Sequence, residues 1–228
     1  MTLRRHHVLT ALAGLAALAL TGPVAAAPAA VADRAVNHAT PALAAFDRAW
    51  AGVHDYRATV TADERTNDGK RSKHYVYDVR FLRPTFVRID VVDGAGRGSG
   101  AVWHGGDDIV GHSGGFLSAL KLSVPLTDGR AKSLRGETIA TTSFGNRLAT
   151  MLDTPGELSE APAGSDATDV TLIPREPLPG GVTRVVLELS NTTHLPLVFT
   201  EDVDKTPVNV ERFTDLKTNV GLSEADFH

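Results

Sequence analysis

Cysteine is missing from all 228 residues. That absence excludes disulfides, thiolate metal sites, cysteine nucleophiles and a lipid-modified N-terminal cysteine together. Long apolar runs are almost as scarce. The run from Val8 to Leu20 is shorter than the ~20 residues a membrane-spanning helix needs. It follows Arg4 and Arg5 and leads into Pro23-Val24-Ala25-Ala26-Ala27. A charged start, a short apolar stretch and small residues predict an export signal over 1–32, cut after Ala26 or Ala32. Arg4-Arg5 also suggests a twin-arginine route, but His6-His7 stands where that signal usually has an apolar residue. An excess of basic charge is absent too. Removing Arg4 and Arg5 with the leader takes 23 basic residues to 21 against 27 acidic, a net charge of −6. That balance argues against nucleic acid or an anionic membrane surface as partner.

What remains, residues 33–228, is enough for one domain held together by packing alone. Its clearest feature is alternation. Tyr56, Ala58, Val60 and Ala62 share one side of a first segment, with Arg57, Thr59, Thr61 and Asp63 on the other. Tyr75, Tyr77, Val79 and Phe81 repeat the pattern, and Val87, Ile89 and Val91 repeat it again. A period of two over such lengths predicts antiparallel strands with one apolar and one wetted face. Asn67-Asp68-Gly69 turns the first strand into the second. Short strands at about 101–104 and 108–112 flank Gly105-Gly106. More follow at 169–173, 182–190, 196–201 and 208–216, with Asp204-Lys205 turning into the last.

Two helices punctuate this pattern. From Pro41 to Val53, apolar Leu43, Phe46, Trp50 and Val53 recur at helical spacing behind Thr40 as N-cap. Thr142 or Ser143 caps a second helix, in which Phe144, Leu148, Met151 and Leu152 share a face. The segment from 114 to 164 reads as a helical insert. Its apolar start is partly helical and broken at Pro125, and Pro155 to Gly164 is an irregular loop. The expected architecture is α+β: a curved, incompletely closed antiparallel barrel of about nine to eleven strands, with helices over the concave face.

The stretch Phe81-Leu82-Arg83-Pro84-Thr85-Phe86-Val87-Arg88-Ile89 resembles the lipoprotein carriers of the LolA and LolB type. There too a strand ends in Arg-Pro and an aromatic-containing strand follows at once. Phe46 to Tyr56, the turn at Gly105-Gly106-Asp107-Asp108-Ile109-Val110, and the ending from Phe213 to Leu222 with Phe227 extend the likeness in order along the chain. It is closest to the branch of uncharacterised lipoprotein-sorting proteins. The resemblance implies a half-barrel around an apolar cavity that accepts acyl chains, and an arginine, here Arg83, that holds the lid closed. The long insert and Val110, where many members have an aromatic residue, depart from the pattern.

These readings predict a soluble periplasmic carrier or binding protein for a lipid or the acyl chains of a lipoprotein. It would be monomeric, use no cofactor or metal, and exchange cargo with inner- and outer-membrane donor and acceptor proteins. Candidate ligand-binding residues are Tyr77, Val79, Phe81, Arg83, Val87, Ile89, Phe116, Leu120, Phe144, Leu148, Met151, Leu187, Leu189 and Phe199. An alternative is an envelope lipid sensor or protein-interaction module that transports nothing. An enzyme is the weaker reading. Gly111-His112-Ser113-Gly114-Gly115 satisfies the Gly-x-Ser-x-Gly elbow of serine hydrolases, with Asp153 and His194 later in the chain, but that elbow needs a parallel sheet. His104 and His112 on neighbouring strands are the closest approach to a metal pair.

Overall fold

The computed structural model describes residues 39–115 and 120–228. Helix α1 (Pro41–Ala51) begins as the sequence predicts, with the Thr40 hydroxyl accepting from the Leu43 amide at 3.3 Å and proline at its first position. Six strands follow: β1 (Asp55–Arg65), β2 (Ser72–Leu82), β3 (Phe86–Gly94), β4 (Gly100–Trp103), β5 (Asp108–His112) and β6 (Lys121–Pro125). A crossing segment, 126–143, contains two short 3-10 turns. It leads into α2 (Phe144–Asp153), where the Ser143 hydroxyl accepts from the Asn146 amide at 3.3 Å. Five strands complete the chain: β7 (Gly156–Ala163), β8 (Ala167–Pro174), β9 (Arg184–Ser190), β10 (Pro196–Val203) and β11 (Thr206–Thr218).

All eleven strands form one antiparallel sheet in the order β6-β5-β4-β3-β2-β1-β11-β10-β9-β8-β7. Each half is a meander built from adjacent hairpins, and the two halves are zipped together where β1 pairs β11. Strands β6 and β7 are therefore the two free edges. The segment between them must travel from one edge to the other, and it does so across the concave face. The sheet does not close into a barrel. It is the incomplete antiparallel barrel with helices that the alternation predicts.

Two details differ from the sequence reading. The apolar stretch before Pro125 is not helical where it is described; Lys121–Pro125 is edge strand β6, in register with Asp108–His112. Residues 156–163, expected as an irregular loop, are edge strand β7, paired with β8 along its whole length. An edge strand needs only one partner and one covered face, so its side chains carry no strong alternation. In β7 most positions are exposed, which is why Pro162 is tolerated there.

The interior is not evenly filled. Helices α1 and α2 pack on each other and lie over the half built from β8 to β11 and the seam. Leu43, Phe46, Phe144 and Met151 are completely buried there, against Val170, Leu172, Val185, Leu187 and Phe199. Tyr56 sits between Phe144, stacked at 4.5 Å between ring centroids, and Phe81 at 5.2 Å. Gly145 permits the close approach of the helices. A Cβ there would come within 3.1 Å of the Trp50 indole nitrogen.

Candidate functional site

Among the described residues no α-helix is laid over the other half of the sheet. Its cover is the crossing segment, a strap whose only buried apolar side chain is Ile139. Between strap and sheet lies a cavity of about 450 Å³, within the range of small-molecule sites. Its floor is apolar: Val60 from β1, Tyr77 and Val79 from β2, Ile89 and Val91 from β3, Ala101 from β4, Ile109 from β5, and Leu122 and Val124 from β6. Inward-facing residues from neighbouring strands meet in rows, with Val79 opposite Ile89 and Ile89 opposite Ala101. Leu122 is 46% exposed and marks the β6 margin of the cavity. A second hollow of about 470 Å³ has much of its wall in turns, at Gly52, Thr193 and Asn219.

The strap is fastened mainly by polar contacts. Glu64, at the inward position beyond Ala62 on β1, accepts from the Arg135 backbone amide at 3.2 Å. The Arg135 guanidinium donates to the Asn67 side-chain oxygen at 2.5 Å and to the Gly180 carbonyl at 3.1 Å. Glu137 receives both terminal nitrogens of Arg147 at 3.1 Å each. Arg147, on α2 and only 4% exposed, also donates to Glu211 at 2.7 Å and lies 3.9 Å over the Phe199 ring. Burial raises the affinity of Glu64 for a proton. It does the same, more strongly, for the carboxyls of Glu201 and Glu211, with Arg147 opposing the rise. Burial also pushes the Tyr75 hydroxyl up to about 12 and raises Tyr77 further, so both remain protonated donors.

Of the residues expected to bind ligand, Tyr77, Val79 and Ile89 line this cavity. Phe81, Val87, Phe144, Leu148, Met151, Leu187, Leu189 and Phe199 are brought together in the solid interior instead and do not line it. Leu120 is 55% exposed and lies off the cavity wall. Phe116 and the leader fall outside the described residues. Arg83 is at the C-terminal end of α1, where its Nε donates to the Val53 carbonyl at 2.6 Å and a terminal nitrogen to Trp50 at 2.8 Å. Its guanidinium carbon is 4.6 Å from the Trp50 ring centroid. It thus ties α1, and not the strap, to the β2–β3 corner.

Sequence reasoning overlooked Tyr75, Ala101, Ile109, Leu122, Val124 and Ile139 as lining residues. A signal existed for Glu64, a carboxylate at the inward position of an otherwise apolar strand face, whereas Glu211 shares its face of β11 with buried Asn209. Ser113 lies just beyond β5, whose partners β4 and β6 are both antiparallel, so the setting a hydrolase elbow requires is not there. His104 and His112 do not face each other. The first meets the Phe227 carbonyl at 2.9 Å, and the second lines the cavity. Among the described residues no group of three or more potential ligands is placed to hold a metal, and no helix is long and apolar enough to cross a membrane.

No family model and no curated protein matches the sequence. Solved structures do match the fold. An uncharacterised conserved protein from Thermus thermophilus superposes with a TM-score of 0.52 at 13% identity, covering 82% of this chain and 90% of that one. A LolA superfamily protein from Nitrosomonas europaea matches at 13% identity and TM-score 0.42, over 83% and 98% of the two chains. The Mycobacterium tuberculosis lipoprotein LppX matches at 14% and 0.45, over 81% and 99%. At such identities the likeness concerns the fold alone.

Proposed function

We propose that this chain is an exported carrier or binding protein that holds the acyl part of a lipid or lipoprotein without covalent chemistry. One observation carries the reading: the apolar face of a single sheet is packed solid under two helices on one side and left hollow on the other. An ordinary core would fill both sides. Each buried methylene of a guest contributes ~0.8 kcal/mol, so the hollow side can retain an alkyl chain firmly. Residues of the strap, held by reversible polar contacts, supply the movable wall that loading and unloading require. The export signal read at the N-terminus, and the resemblance to lipoprotein carriers, agree with a role in the bacterial envelope.

Two measurements test this. Protein purified without detergent should yield a co-purifying lipid by mass spectrometry of its organic extract, or, if empty, take up a fluorescent acyl probe saturably at one site. Well-folded protein that carries no lipid and shows no saturable uptake overturns the proposal.

A further inference from the structure

The charged side chains on the cavity wall divide into those with an ionic or hydrogen-bonding partner and those without an ion-pair partner. The carboxylates are already occupied. Glu137 and Glu211 share the Arg147 guanidinium, and Glu64 accepts from the strap backbone at Arg135. Arg130 turns to Asp128, at 2.7 Å. Lys73 and Lys132 have no carboxylate partner within ion-pair distance among the described residues. Lys73 instead stands 5.9 Å over the Tyr75 ring. Both lysines line the cavity.

The register places them at one end of it. Lys73 is directly opposite Glu64 across β1 and β2. The same Glu64 carboxylate binds the strap at Arg135, three residues beyond Lys132. Along β2 the inward positions then run Lys73, Tyr75, Tyr77, Val79. Six residues of extended strand span about 20 Å, so the wall grades from two unpaired ammonium groups, through two tyrosines, to an apolar floor at Val79, Ile89 and Ile109. Such a gradient suits a molecule with an alkyl tail and a negative head.

Resting on the reading of the cavity as an acyl site, we infer that its guest is an anionic amphiphile, a carboxylate or phosphate on an alkyl chain, whose head lies between Lys73 and Lys132. A cationic head would meet two like charges there. A neutral head would leave the ammoniums without a partner. The nearby carboxylates are not ion-paired with either lysine: Arg147 bridges Glu137 and Glu211, and Glu64 is hydrogen-bonded to the strap amide at Arg135.

The test compares dodecanoic acid, dodecanol and dodecylamine for displacement of a neutral fluorescent polyene from the full-length chain. At low salt the acid should bind about fivefold more tightly than the alcohol, as for two partly exposed ion pairs, and the amine should bind most weakly. The double variant Lys73→Gln/Lys132→Gln should abolish the preference for the acid over the alcohol, with a wild-type circular dichroism spectrum and thermal midpoint showing that it folds. Added salt should erase the preference in the wild type. Equal binding of acid and alcohol, or tighter binding of the amine, overturns the head-group assignment alone. A preference for the acid that survives in the double variant overturns the role of these two lysines. Failure of all three to displace the probe overturns the acyl-site reading, and this inference with it.

Discussion

The two halves of the concave face are made from the same material and finished differently. Under α1 and α2, Phe144, Met151 and Leu43 are wholly buried and aromatic rings pack with centroids 4.5 to 5.3 Å apart. Under the strap, Tyr77 and Ile89 are only partly buried around open space. An α-helix brings an apolar side chain to a sheet at every third or fourth residue. A strap of 3-10 turns brings few, and here Ile139 is the one that is buried. The kind of cover, more than the character of the sheet, decides whether apolar surface becomes core or container.

Substitutions can break that contrast. The largest effect is expected in the filled half. Phe144→Ala should destabilise the protein by about 3–5 kcal/mol, since it deletes a fully buried ring among close-packed neighbours; chemical denaturation would measure it, and a loss below 1 kcal/mol would mean the interior there is loose. Next comes the tether between α1 and the sheet. Arg83→Leu removes two charge-assisted bonds to backbone carbonyls and should cost about 2 kcal/mol, with faster amide exchange at the end of α1. In the hollow half the signature reverses. Ala101→Phe, which grows into the cavity from β4, should shift stability by less than ~1 kcal/mol while abolishing uptake of an acyl probe. A cost of several kcal/mol there would show that no usable space existed.

The smallest effect depends on pH. Burial raises Glu201 to about 7, above its ordinary unfolded value, so the folded state binds this proton more tightly. Its contribution is fully present below pH ~4.5 and is lost as pH rises through about 7. Glu201→Gln mimics the protonated form. The stability of the variant relative to wild type should therefore increase by a few tenths of a kcal/mol or more between pH 5 and pH 8. An unchanged difference would show that this carboxyl titrates normally.

How much of this could be read in advance depends on what each residue's neighbours demand. Central strands declared themselves, because both their faces and both their edges are constrained; Tyr56 to Ala62 and Tyr75 to Phe81 alternate for that reason. The helix starts were legible at Thr40 and Ser143, where a local hydrogen bond does the work. Edge strands β6 and β7 were not, since one side of each faces solvent and Pro125 and Pro162 are harmless there. The alternation also identified which side chains point inward, Phe199 and Leu187 as well as Val79 and Ile89. It could not distinguish those pressed beneath Phe144 and Met151 from those left uncovered. That difference is made by where α2 and the strap land, a matter of tertiary placement.

Pairing between β1 and β11 joins residues as distant as Thr59 and Thr214, whereas every other ladder links consecutive strands. Neighbouring hairpins need only short loops to close, but this central ladder must bring together segments about 150 residues apart, at a far greater cost in chain entropy. Each meander can therefore assemble on its own, with the junction zipping late. Until it does, β1 and β11 both present unpaired backbone. That interval is when the chain is most vulnerable to sticking to its own copies.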